Sequence, residues 1–445
     1  MYQKPSFLQV LFILQNGTLH MSEEKKIKVF VISDHPLAPS GVGTQTKYMI
    51  EALIKTGRYQ FVCIGGAIKH EKYEPQTITN KDWEDGDWRV FPVDGYGNAE
   101  MIRSIIWMEK PDMLWFMTDP RFYPWLWQIE NEVRPLIPMV YYHVWDNYPY
   151  PKYNKKWYDS TDVIASISKV THDIVNNVAP DVESHYLPHA VDIEIFKELP
   201  REDITTIRKQ NFGQEGDSKV IFLWNNRNAR RKQSGTLALW FSEFAEEVGP
   251  ENVCLIMHTD PKDPHGQDLQ AVLGDHGYTD GRVQISPQKV PPTELAIMYN
   301  MADCTINISD AEGFGLATLE SLSCGTPIIV TMTGGLQEQV TDGEEWFGIG
   351  LEPASKSIIG SQEVPYIYED RTSKEDFIAA LHKMYNMSKE EREEMGRKGK
   401  EHVRKNYNFK DYQNKWIELM DGIHERYGSW ETRKGYKAWE IKEIA

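Results

Sequence analysis

The segment CTINISDAEGFGLATLESLSCGTPIIV, residues 304–330, decides the fold. It opens on a short β-rich apolar run, CTINI (304–308), and turns through Ser309, Asp310 and Ala311. A stretch of helical spacing follows over 316–322, and a second apolar run, PIIV, ends it at 327–330. Strand, loop, helix and strand in that order predict a parallel βαβ unit. In sheets built from such units, ligands gather where strand ends meet helix starts. That places Glu312 and its neighbours in a candidate site.

The same theme runs outward in both directions. Residues 219–224, 253–258 and 283–285 read as strands, with helices expected over 234–247, 267–273 and 292–301. Earlier, 27–33, 59–65, 112–117, 137–144, 162–168 and 183–188 read as strands, and 45–55 has helical spacing. Between the two series, residues 194–218 are charged and carry no sustained apolar run, which predicts an irregular inter-domain connection. From Lys374 onward the chain is helical and charged in character. The reading is an α/β protein of two consecutive doubly wound units, each with a mostly parallel sheet covered on both faces.

Composition narrows the function. The 445 residues are 40% hydrophobic and 26% charged, as in ordinary globular proteins. A formal net charge of −17 excludes nonspecific polyanion binding over the whole surface, so any phosphate site must be local. Cys63, Cys254, Cys304 and Cys324 are scattered in or beside apolar runs. They predict buried thiols in a reducing cytosol, with neither a disulfide framework nor a zinc site. The apolar run Phe7–Leu14 is too short to span a membrane and is a weak secretory signal. Residues 1–20 are expected to be a dispensable extension, and the protein is expected to be cytoplasmic.

Four motifs carry chemistry. In the first, EGFGLATLE (312–320), Gly313 and Gly315 let a ligand approach the backbone. The helix starting near Leu316 offers unpaired amides to a phosphate. Glu312 can accept hydrogen bonds from sugar hydroxyls and Glu320 from a ribose. The alternative is an ordinary helix start with a surface glutamate. The second, WNNRNARRK (224–232), follows the first strand of the later unit. Arg227 and Lys232 there can clamp a diphosphate from two sides, or the segment is a solvated basic turn. The third, SGVGTQ (40–45), puts Gly41 and Gly43 in a loop before a helix but lacks the third glycine of a dinucleotide fingerprint. The fourth is YYHVWDN (141–147), where His143 ends a strand beside a tyrosine- and tryptophan-rich loop. It suits either sugar stacking or plain packing.

These residues resemble the retaining glycosyltransferases of family four, the glycosyl transferases group 1. The match rests on Glu312 and Glu320 around Gly313–Phe314–Gly315, on SLSCGTPIIVT, on Gly334, Gly335 and Glu338, and on the Arg227 and Lys232 pair. It also includes LPHAVDIEIF (187–196), where His189 and Ala190 depart from the family's Asn and Gly. The resemblance implies a GT-B fold, two facing Rossmann-like domains with a cleft between them. The expected divisions are an extension (1–26), an acceptor-side domain (27–199), a donor domain (200–407) and a helical segment (408–445) packing back toward the first domain. It further implies that Arg227 and Lys232 neutralise the leaving diphosphate, with Glu312 orienting the donor sugar. Glu320 would hold the ribose, Gly313, Phe314, Gly315 and Leu316 the sugar and phosphate, and His143 would line the reaction centre. Gly41 and Gly43 would form an acceptor-side loop. Transfer with retention, a nucleotide-sugar co-substrate, no cofactor and no required metal complete the expectation. The acceptor, whether glycan, lipid, small molecule or base, is left open.

Three rival readings stand beside it. Glycosylation of hydroxymethylated pyrimidine bases in DNA, as in phage enzymes, calls for a basic face, yet residues 27–199 carry 17 Lys and Arg against 24 Asp and Glu, a net −7. A nicotinamide-dependent oxidoreductase lacks its third glycine. A non-catalytic nucleotide-sugar-binding module would bind without turnover.

Overall fold

The computed structural model describes residues 25–66 and 72–436. The expected extension over 1–26 lies almost wholly outside these residues, as do the run Phe7–Leu14 and residues 437–445.

Two parallel sheets organise the chain. The first contains β1 (Ile27–Asp34), β2 (Tyr59–Gly66), β3 (Gln76–Thr77), β4 (Trp88–Pro92), β5 (Met113–Met117), β6 (Met139–His143), β7 (Val163–Ser166) and β8 (Glu183–Tyr186). Its order is β3-β4-β2-β1-β5-β6-β7-β8, with only β3 antiparallel. The second contains β9 (Val220–Asn225), β10 (Val253–His258), β11 (Val283–Ser286), β12 (Cys304–Asn307), β13 (Ile328–Thr331) and β14 (Gly348–Leu351). Its order is β11-β10-β9-β12-β13-β14, all parallel. The strand order reverses between β1 and β5 in one sheet and between β9 and β12 in the other. Those are the positions where a doubly wound sheet opens a crevice.

The central strands are buried on both faces because helices cover each sheet, so every residue of β5, β6, β12 and β13 is buried and most are apolar. Each sheet has one face with its own hydrophobic cluster. The other two faces merge into one cluster that runs from Val29 and Trp115 through Phe314 and Leu319 to Trp416. The two domains are therefore joined by continuous apolar packing.

Helix starts follow local capping. Ser40 caps the helix Gly41–Ile54 by accepting from the Gly43 amide, so the helix begins four residues before the apolar spacing predicts. Gly41 and Gly43 accordingly sit in the first helical turn and not in a loop. The connection expected to be irregular contains the helix Arg201–Phe212. It has no strong apolar stripe. It is anchored through buried Arg208, which pairs with Asp303 at 3.1 Å and donates to the carbonyls of Gly216 and Met301, each at 3.1 Å. The short strand β4 and an antiparallel hairpin, β15 (Ser355–Ile359) with β16 (Ile367–Arg371), were also not legible in the pattern.

After the helix Lys374–Asn386, a capping box of Ser388 and Glu391 starts the helix Lys389–Asn406. Gly396 and Gly399 let that helix approach the turn after the helix Leu316–Ser323, since a Cβ on Gly396 would lie 1.8 Å from the Gly325 carbonyl oxygen. The helix Phe409–Tyr427 then crosses to the first sheet. Tyr412 donates to the Gln45 carbonyl at 3.0 Å, and buried Trp416 packs against Trp115 and Tyr142. All four cysteines are buried free thiols.

Candidate functional site

The loop after β12 and the loop after β9 are zipped together. The Asp310 amide donates to the Arg231 carbonyl at 2.8 Å, and Arg231 in turn donates its guanidinium to the Ala311 carbonyl. This brings Lys232 against Glu312 in a buried ion pair, with Asn307 donating to the same carboxylate at 3.1 Å and Arg231 4.0 Å away. Burial pushes the Glu312 carboxyl up. Lys232, Arg231 and the hydrogen bonds outweigh it and hold the group well below the usual carboxylate range. Burial first, and Arg231 after it, draw the Lys232 ammonium down to about 8 while Glu312 pulls it back up.

Gly315 precedes the helix Leu316–Ser323 at φ 91°, a left-handed conformation that favours glycine, and no side chain caps that helix start. Gln339 fixes the turn by donating to the Phe314 carbonyl at 2.6 Å. One turn into the helix, Glu320 accepts from the Tyr299 hydroxyl at 2.7 Å, and Asn225 at the end of β9 donates to that same hydroxyl at 2.8 Å. Burial raises the Glu320 carboxyl to about 7 against the Tyr299 hydrogen bond.

The first domain closes on this site. A Cβ on Gly313 would lie 3.3 Å from both the Ile167 side chain and the Val144 carbonyl oxygen. A Cβ on Gly41 would lie 3.2 Å from the Leu316 side chain. Two helix starts, one from each domain, therefore face each other at the crevice. Asp146, just past β6, reaches the same centre. Burial raises its carboxyl to about 6, with Arg231 opposing and Glu312 and Asp119 adding to the rise.

The residues singled out from the sequence fall into two groups. Lys232, Glu312, Gly313, Gly315, Leu316 and Gly41 converge on the crevice, and Glu320 stands a turn deeper. Arg227 does not join them. Its guanidinium holds Asp263 at 2.7 Å and His265 at 2.7 Å, and the side chain is largely exposed. Gly43 is set back in its helix, where a Cβ would lie 2.8 Å from the His35 carbonyl oxygen. Phe314 is buried between His189 and Tyr407, so only its backbone faces the loop. His143 has no exposed surface. Its Nε2 meets the Tyr158 hydroxyl at 2.7 Å, its Nδ1 makes no hydrogen bond, and burial lowers the imidazole to about 3. Buried polar atoms without a protein partner also lie at or just past the ends of β7, β9 and β10, on Ser166, Asn226 and Thr259.

Residues that the motif reading did not select also enter the site. Arg231 and Asp146 lay inside quoted segments, but spacing cannot say which of three neighbouring arginines turns inward. Asn225 lay inside the second motif and Asn307 in the strand before the first, but neither was marked by its type, and Tyr299 had no motif. Glu338 reaches across the domain joint, accepting from the Lys169 amide and the Tyr186 hydroxyl, each at 2.6 Å.

Residues 281–402, which include the helix start and both glutamates, match the family described as glycosyl transferases group 1. Over that segment the chain resembles the family. It is 28% identical over 186 residues to a D-inositol 3-phosphate glycosyltransferase of Xylanimonas cellulosilytica, a span that is 41% of this chain and 43% of that protein. The chain spans less than half the length of the curated relatives it matches. Among solved structures, a sucrose-phosphate synthase from Thermosynechococcus elongatus superposes with a TM-score of 0.70 at 15% identity, covering 90% of this chain and 100% of that one. A trehalose-6-phosphate structure from E. coli with bound UDP-2-fluoro glucose superposes with a TM-score of 0.64 at 11% identity, covering 88% and 98%. The chain thus has the GT-B architecture of two Rossmann-like domains.

Proposed function

We propose that this chain is a glycosyltransferase that moves a sugar from a nucleotide diphosphate donor to an acceptor hydroxyl with retention of anomeric configuration. The observation that carries the reading is the buried Lys232–Glu312 pair set against the uncapped helix start at Gly315, inside the crevice between the domains. In this reading the helix start and Lys232 take the diphosphate, and Arg231 adds a second cation from the same turn. Arg227 swings from Asp263 to the outer phosphate. Glu312 orients the sugar hydroxyls, and Glu320 accepts from the ribose. The fold likeness to a protein holding a uridine diphosphate sugar analogue supports a donor in this crevice.

The acceptor oxygen attacks the anomeric carbon from the face that the diphosphate leaves. The bond from that carbon to the phosphate oxygen breaks, and the acceptor's proton passes to the departing phosphate. No side chain need act as a base. His143 is too deeply buried and too weakly basic to take that role, and it packs beneath the centre. Residues 27–199 form the acceptor side and 200–407 the donor side, with 408–427 returning to the first domain. Among the described residues no helix is long and apolar enough to cross a membrane, and we place the protein in the cytoplasm.

The test is incubation with UDP-, GDP-, ADP- and TDP-sugars and a mixed panel of acceptors, following nucleoside diphosphate release and product configuration by proton NMR. Turnover of one donor with an axial product from an axial donor supports the reading. Tight nucleotide-sugar binding with no release under any acceptor would favour a non-catalytic binding module.

A further inference from the structure

Between β14 and the helix Lys374–Asn386 the chain makes the β15–β16 hairpin, which belongs to neither parallel sheet. Its register runs from Ser355 opposite Arg371 to Ile359 opposite Ile367. Residues 360–366 form the tip. An isolated two-stranded hairpin is marginal at best, so its position depends on what holds it.

Its root is tied to the loop that carries Glu312. The Asp370 amide donates to the Asp310 carbonyl at 2.8 Å, and Arg371 donates to the Asp310 carboxylate at 2.9 Å. Glu369, only 2% exposed, pairs with both Arg230 and Arg371. Arg230 adjoins the Arg231 and Lys232 of the donor site.

Its far end is tied to the other domain. The amide of Tyr368 donates to the Tyr148 carbonyl at 2.6 Å, and Asn147 donates to the Tyr368 carbonyl at 2.9 Å. The free edge of β16 is thus covered by the loop after β6. The Tyr153 hydroxyl donates to the Tyr366 carbonyl at 2.7 Å, and the two rings meet edge to face at 5.1 Å. Val364, at the tip, is buried in the hydrophobic cluster of the first domain. Glu363 acts electrostatically on Asp119, the residue that opens the turn after β5 and feels Arg231. The hairpin therefore reaches from the Lys232–Glu312 centre to the tyrosine-rich loop across the mouth of the crevice.

We propose that the β15–β16 hairpin is the acceptor-side wall of the reaction cleft. With the loop over 145–158 it shapes the space through which the acceptor hydroxyl approaches, and it keeps water out of that space. The proposal rests on the glycosyltransferase reading. If water takes the acceptor's place, its oxygen bonds to the anomeric carbon, the bond to the diphosphate breaks and a proton passes to the departing phosphate. Loosening the wall should therefore raise hydrolysis of the donor.

The experiment uses the full chain and two variants. One combines Asn147→Ala with Tyr153→Phe, which removes two of the ties without touching the donor loops. The other is Val364→Ser, which weakens the tip's anchor. Thermal shift with UDP, GDP and ADP reads the donor site, and nucleoside diphosphate release from the matching sugar nucleotide without acceptor reads hydrolysis. The expected result is an unchanged nucleotide shift with hydrolysis raised at least about threefold in both variants. An unchanged shift without a rise in hydrolysis in either variant overturns the wall. Loss of the nucleotide shift in both variants also overturns it, because the hairpin then serves the donor site itself. If the unaltered protein responds to no nucleotide, the glycosyltransferase reading fails and this proposal falls with it.

Discussion

At the scale of single residues, the central group is the Lys232–Glu312 pair. Removing one member of a buried pair leaves the other charged, buried and alone, a loss of about 3 kcal/mol or more. Glu312→Ala should therefore lower the unfolding free energy in urea by about that amount, while Lys232→Met combined with Glu312→Leu recovers most of it because no lone charge remains. Neither protein should turn over. Glu320 gives a second prediction. Burial raises its carboxyl to about 7. The folded value thus exceeds the unfolded one, and the stability associated with its neutral form is present at low pH and lost as pH rises through about 7. Ribose binding runs the other way, since only the ionised carboxylate accepts from both hydroxyls. Calorimetric affinity for the nucleoside diphosphate should rise between pH 6 and 8 by up to about tenfold, and Glu320→Gln should flatten that rise. The glutamates and Lys232 were legible because helix-start chemistry and charge concentration mark them in sequence. The inward turn of Arg231 was not, because it depends on the short 3-10 turn Arg230–Lys232. Nor was the outward turn of Arg227, which Asp263 and His265 impose from 36 and 38 residues away.

At the scale of elements, the site is a meeting of helix starts and tight turns. Gly334 sits at φ 47°, and a Cβ there would lie 1.8 Å from the Glu312 carbonyl oxygen. That neighbour is backbone and cannot rotate away. Gly334→Ala should displace the Glu312 loop and abolish the thermal shift given by nucleoside diphosphate. Gly274→Ala serves as the control, since nothing lies within 4 Å of its Cβ and its helix gains from the exchange. Elements with apolar runs were readable, as the strands on either side of Glu312 show. The helix Arg201–Phe212 was not, because its anchor is the buried ion pair of Arg208 with Asp303, a contact that leaves no periodic trace. The hairpin was equally hidden. Its strands face partly outward, and the other domain holds them through the Tyr148 carbonyl and the Asn147 and Tyr153 side chains, partners too distant in the chain to leave a local pattern.

At the scale of the whole molecule, the chain crosses between domains and returns, so the two lobes share one core. Trp416 is fully buried at the return crossing, against Trp115 and Tyr142. Trp416→Ala should cost about 3–5 kcal/mol in a urea titration, and tryptophan fluorescence of the first domain should change with it. The alternation of strands and helices made the two-domain plan readable from sequence, and the charged tail predicted helices. How closely the lobes approach was not readable, because Gly41 against Leu316 and Gly313 against Val144 are contacts between residues far apart in the chain. The central claim is that the crevice between these lobes takes a nucleotide diphosphate on Lys232 and the helix start at Gly315. The most direct test is isothermal titration of UDP, GDP and ADP into the unaltered protein and into Lys232→Met. The account predicts that one nucleotide binds the unaltered protein at a single site and binds Lys232→Met at least about tenfold more weakly. Equal affinity for the two proteins, or no binding to either, would contradict it.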